Sequence, residues 1–215
     1  MENQKGKQLG MYGALILIVA AMAYYLYTDF KKKLPEKVVQ NGVSEEMIES
    51  ITPPTKNIVS MSMPKLNRSI PENTEITSEV RTILAGRIKE WSDKIAKEPN
   101  NSESWVFLGV EYKMAEDYEG AREAWEYAAY LSPNSVAHQN LGDLYAYYLH
   151  DNAKAEDEFI EAIRLSPSAE YLYFKATEFY RDVLKDLVKA RAIVEKGIAA
   201  NPSSTDLKSL LSSLK

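Results

Sequence analysis

The fold is decided by SESWVFLGVEYKMAEDYEGAREAWEYAAYLSPN (Ser102–Asn134), followed at once by SVAHQNLGDLYAYYLHDNAKAEDEFIEAIRLSPS (Ser135–Ser168). Trp105, Leu108, Gly109 and Tyr112 of the first stretch recur as His138, Leu141, Gly142 and Tyr145 of the second, a step of 33. Ala121, Trp125, Ala128 and Pro133 recur as Ala155, Phe159, Ala162 and Pro167, a step of 34, so the second stretch has one extra residue between its halves. The four prolines Pro99, Pro133, Pro167 and Pro202 are spaced 34, 34 and 35 apart. A fixed period of this size marks a solenoid of stacked units, each unable to bury its apolar face alone. Apolar positions three and four apart put each half of a unit on a helix. Glu116-Asp117, Asp151-Asn152 and Lys185-Asp186 supply the turns between halves, where an Asp or Asn caps the following helix. The late prolines end the second helix of each unit.

These residues resemble the tetratricopeptide repeat (TPR), W-x-x-L-G-x-x-Y followed by A-x-x-x-F-x-x-A and a late proline. Units at about 102–134 and 135–168 match closely, with Trp125 in the Phe place and His138 in the Trp place. A third unit, about 169–203, is degenerate. Ala176 aligns with the glycine, Phe179 with the tyrosine, and its inner turn is longer by two. The resemblance covers about half the chain. It implies an all-α helix-turn-helix solenoid of about three repeats within residues 99–203, whose first helices form a concave face. The repeat positions that line that face in TPR proteins fall here on Val106, Val110 and Met114, on Gln139, Asp143 and Tyr147, and on Tyr173, Thr177, Tyr180 and Arg181. Such a groove implies a protein or peptide partner. The subtype that clamps an acidic C-terminus is not indicated, because Val106 and Val110 stand where it places lysine and asparagine.

Flanking helices close the stack. The stretch 77–98 carries Val80, Ile83, Leu84, Ile88, Trp91 and Ile95 at helical spacing, and Trp91 precedes Trp125 by 34 residues. It reads as a lone second helix that leads the array. Residues 204–215 carry Leu207, Leu210, Leu211 and Leu214, the stripe of a closing helix.

The N-terminal part differs in kind. After a tail at 1–8, residues 9–27 contain no charge. As a helix they span roughly the 30 Å hydrocarbon core, which predicts a single transmembrane helix. Tyr24, Tyr25 and Tyr27 fall at its end, followed by Lys31-Lys32-Lys33. A cleavable signal peptide is the alternative, with Lys5 and Lys7 before the apolar run and Ala21-Met22-Ala23 as the cut. The run continues through Tyr27, which suits a retained anchor better. The lysine count favours a cytoplasmic repeat domain, whereas the signal-like layout favours an extracytoplasmic one, and the latter is the expectation adopted. Gly10-x-x-x-Ala14 offers a small-residue contact for weak self-association. Residues 28–76, with Pro35, Pro53, Pro54, Pro64 and Pro71, read as a flexible linker, some of whose apolar residues could dock on the domain. The whole arrangement looks like small single-pass bacterial proteins that carry TPRs on a tether.

Charge and composition limit the chemistry. The chain of 215 residues has 26 Lys+Arg against 31 Asp+Glu, a net −5, and no cysteine. Residues 99–215 hold 12 basic and 19 acidic residues, net −7, leaving 14 and 12, net +2, for residues 1–98. An acidic domain argues against nucleic acid as partner. Without cysteine there is no disulfide, thiolate zinc site or cysteine nucleophile. His138 and His150 are the two histidines, the first in a packing position and the second in a turn. Glu156-Asp157-Glu158 reads as a solvated surface, and no glycine-rich phosphate loop occurs. The expectation is therefore no enzyme, no catalytic residue, no metal and no cofactor. The function expected is a membrane-anchored interaction scaffold, with an assembly or chaperone-like factor for an envelope complex as the alternative.

Overall fold

The computed structural model describes residues 61–72 and 75–214. Among the described residues there are eight α-helices and no strand. They are α1 (Ser78–Lys97), α2 (Ser102–Met114), α3 (Tyr118–Leu131), α4 (Ser135–Leu144), α5 (Asn152–Leu165), α6 (Glu170–Glu178), α7 (Leu187–Ala200) and α8 (Thr205–Ser213). Helices α4 and α6 each run on into one π-helical turn, Tyr145–Leu149 and Phe179–Val183. None of these helices is long and apolar enough to cross a membrane. The expected transmembrane helix at 9–27 and the tail at 1–8 lie outside the described residues.

Most of the helices start on a side-chain cap; α6 follows Ala169, which makes none. Asn101, Asp117, Asn134, Asp151, Asp186 and Ser204 accept a backbone N–H of the first turn that follows them. The turns inside the units are closed by Glu116, His150 and Lys185, each in the left-handed region at φ 59°, 54° and 56°. In the first unit the Asp117 N–H reaches back five residues to the Tyr112 carbonyl. In the second and third the corresponding bonds, Asp151 to Tyr145 and Asp186 to Tyr180, span six. The π turns absorb that extra residue, as single-residue insertions into α-helices do.

Packing follows from one device. The Trp125 ring lies on the backbone of α2, where a Cβ on Gly109 would come within 2.4 Å of it. The Phe159 ring lies on α4 in the same way, 2.8 Å from a Cβ at Gly142. Trp125 also donates its Nε1–H to the Val106 carbonyl at 2.9 Å. These rings and Trp105, Tyr112, Leu108 and Leu141 are among the most deeply buried side chains.

The third unit corrects the sequence reading by one residue. Trp105 donates to the carbonyl of Pro99, six residues earlier, and Tyr173 makes the same bond to Pro167. Lys154 lies over the Tyr145 ring and Lys189 over the Tyr180 ring, each three residues past its capping aspartate. The equivalent residues are therefore Trp105, His138 and Tyr173; Gly109, Gly142 and Thr177; Tyr112, Tyr145 and Tyr180. Ala176 and Phe179 do not hold the glycine and tyrosine places, and the inner turn is longer by one. Thr177 takes the glycine place because the ring place of the second helix is filled by Val194 instead of an aromatic; both are buried.

The linker also ends earlier than expected. Leu66, Ile70 and Ile76 pack against the core, and Arg68 holds Asp117 through Nε at 2.6 Å and Nη2 at 3.1 Å. The last part of 28–76 is thus a docked strap.

The corrected register predicts a compensation. Val194→Phe should destabilise by about 1–3 kcal/mol through overpacking against Thr177. Adding Thr177→Gly should recover at least half of that loss in thermal or urea unfolding followed by circular dichroism. Additive losses would refute the pairing.

Candidate functional site: the first-helix face

Helices α2, α4 and α6 are the first helices of the three units, and their uncovered side chains meet across one surface, Lys175 of α6 at Asp143 of α4 and Lys113 of α2 over Tyr148 in the π turn after α4. Its middle is Asp143 on α4. Gln139, one turn earlier, donates to Asp143 Oδ2 at 2.5 Å, and Lys175 on α6 approaches the same oxygen at 3.5 Å. Lys175 also lies 3.9 Å from Glu178. The second oxygen, Oδ1, is buried with no hydrogen-bond partner. Burial raises the Asp143 carboxyl above its ordinary range, against the pull of Lys175 and Lys113.

Around this polar centre lie apolar and aromatic groups. Met114 is 51% exposed and Tyr147 42%, with Val110 half-buried between α2 and its neighbours. The Tyr147 hydroxyl is held above the usual tyrosine range by burial first, then by the carboxylates of Asp143, Glu178 and Asp182, with Arg181 opposing. Arg181 itself pairs with Asp182 at 2.6 Å. Val110, Met114, Gln139, Asp143, Tyr147 and Arg181 thus belong to this face.

Four expected groove residues do not. Tyr173 and Thr177 are each 1% exposed and Tyr180 5%, so all three are core. The one-residue shift in the third unit turns them inward and brings Phe174, Glu178 and Asp182 to the face instead. Thr177 spends its hydroxyl on the Tyr173 carbonyl at 2.6 Å, and Tyr180 donates to Glu156 at 3.0 Å. Val106 is buried beside the Trp125 ring that its carbonyl binds.

Sequence reasoning missed two exposed aromatic members of the surface. Tyr148 is exposed beside Tyr147 because the π turn advances the helix by one residue. Its ring meets Tyr118 at 4.8 Å, and Lys113 stands 4.8 Å above it. Phe107 is exposed and stacks on Trp91 of α1 at 4.5 Å. The signal for Tyr148 lay in the extra residue before Asp151; for Phe107 the Trp91 spacing gave none.

The histidines hold packing and turn positions. His138, in the Trp place, is buried with Nδ1 2.5 Å from Glu158 Oε2. His150 is exposed at the left-handed turn. Glu156 and Glu158 are therefore not simply solvated: Glu156 also pairs with Lys189 at 2.6 Å. Among the described residues no three acidic or histidine side chains are placed to hold a metal ion.

A carboxyl whose pKa is higher folded than unfolded binds its proton better in the fold. Its ionisation therefore costs stability as pH rises above the unfolded value, about 4. Asp143→Asn should accordingly raise the melting temperature at pH 7.5, and the gain should vanish near pH 3. A loss at pH 7.5 would mean that the Lys175 contact outweighs burial.

No family model matches the chain. A stretch of 91 residues is 38% identical to Superkiller complex protein 3 of Homo sapiens, a TPR protein; the match covers 36% of this chain and 6% of that protein. The chain thus spans a small fraction of the length of the curated relative it matches. Together with the all-helical architecture, the similarity supports TPR-like helical repeats.

Proposed function

We propose that this protein is a protein-interaction scaffold. It binds a protein or peptide partner on the face formed by α2, α4 and α6, and it is held at a membrane by one helix at residues 9–27. The observation that carries the binding reading is the exposure of Met114 and Tyr147 around a polar centre of Gln139, Asp143 and Lys175. Large apolar and aromatic side chains surrounded by fixed hydrogen-bonding groups are what interface anchors require. The anchor reading rests on the uncharged run at 9–27 and on the basic balance of the segment around it. The acidic repeat domain lies on the extracytoplasmic side.

The test of binding is affinity purification of the full-length chain from detergent extract, in parallel with Met114→Ala/Tyr147→Ala. The wild-type chain should recover a partner in fixed stoichiometry, and the double variant should weaken that recovery at least tenfold while melting within a few degrees of wild type. A shifting set of unfolded clients, retained by both proteins, would favour the assembly-factor reading.

Orientation is tested separately. In a bacterial host, protease added to intact spheroplasts should degrade the repeats. Protection until lysis would place them in the cytoplasm.

A further inference from the structure

The strap enters the domain as a bound peptide would. Lys65, Asn67 and Ser69 are exposed, whereas Leu66, Arg68 and Ile70 are half-buried on the domain. Its main chain is held by side chains: the Asn67 N–H donates to Ser92 Oγ at 3.2 Å, and the Arg68 N–H to the Tyr112 hydroxyl at 3.4 Å. Tyr112 in turn donates to the Lys65 carbonyl at 3.5 Å. The guanidinium of Arg68 forks onto Asp117, and its remaining nitrogen reaches Glu123 at 3.1 Å. A side chain at position 120 would intrude on this fork, since a Cβ on Gly120 would lie 2.7 Å from Arg68 Nε.

The repeat register explains why this seat exists in the first unit. Tyr145 and Tyr180, which hold the place of Tyr112 in the later units, donate to carboxylates on the preceding second helix, Glu126 at 2.9 Å and Glu156 at 3.0 Å. The helix before Tyr112 is α1, which has Ser92 at the position where α3, 34 residues on, has Glu126. Ser92 hydrogen-bonds the Tyr112 hydroxyl without the charge of a carboxylate, and the hydroxyl also serves a passing main chain. Hydroxyls that read backbone and carboxylates that read a guanidinium are recognition groups. The strap is also separable from the core. None of its side chains belongs to the buried core; Leu66 and Ile70 pack against it from outside, half-buried.

We propose that this seat is a second peptide-binding site, selective for partner segments of the pattern apolar-x-Arg-x-apolar, and that residues 65–70 are its resident, competing ligand. A partner segment gains the seat by displacing the strap. The strap's covalent tether gives it an effective concentration on the order of millimolar, so the site is closed to weak competitors.

The test uses the full chain in detergent and a fluorescein-labelled peptide with the sequence of residues 65–72, read by fluorescence anisotropy. Arg68→Ala in the protein weakens the resident ligand and should tighten peptide binding at least tenfold over wild type. Adding Glu123→Gln should reverse most of that gain, and a peptide with its arginine replaced by alanine should not bind. Equal affinity for wild type and Arg68→Ala, or binding that ignores the peptide's arginine, would overturn the proposal. Loss of helical circular dichroism in Arg68→Ala would also overturn it, because the strap would then be part of the fold. A doubled mass in light scattering that the free peptide dissolves would assign the seat to the strap of a second copy instead of a partner.

Discussion

The structure depends on how closely two helices of a unit can approach, and one ring against one small residue sets that distance. Trp125 and Phe159 lie directly on the backbones of α2 and α4 because Gly109 and Gly142 carry no Cβ. A buried aromatic of this kind is worth about 3–5 kcal/mol when removed, against a total domain stability of about 5–15. The ring also sets the angle at which the next unit is received, since a solenoid has only nearest neighbours to correct it. In the third unit both partners change together, and Thr177 with Val194 fills the volume that glycine with an aromatic fills elsewhere.

The period and the helix boundaries were legible because they rest on local chemistry. Prolines end second helices, aspartates start them, and rings recur every 33 to 35 residues. The third unit was misread for a physical reason. Ala176 looks like the small residue that the first helix needs, whereas the residue in that place is the β-branched Thr177, acceptable only because Val194 stands opposite. Nothing local to Thr177 reports Val194, 17 residues away. That single slip sent Tyr173, Thr177 and Tyr180 to the surface and hid Phe174, Glu178 and Asp182.

The strap was illegible for the same kind of reason. Its prolines and polar residues are those of a linker, and Arg68 finds Asp117 only 49 residues later. Asp117 already serves as the cap of α3, so nothing in its sequence surroundings announces a second partner. The first-helix face fared better in the first two units, where Met114, Asp143 and Tyr147 follow from repeat position alone. Tyr148 did not, because its exposure comes from a π turn and not from the α-helical period.

The docked strap also determines how the domain carries load. A pull on the chain ahead of residue 65 passes in part through the Arg68 guanidinium to Asp117, at the head of α3, and to Glu123 nearly two turns further on. The same strap is bonded to Arg81 and Ser92 of α1 and to Tyr112 of α2, so these helices share the load with the head of α3. Tension therefore enters across α1, α2 and the head of α3 together and is not focused on the free edge of α1. The contacts that seat the strap thus act as a mechanical clutch: its ion pairs and hydrogen bonds must open before tension falls on the N-terminal end of α1 alone.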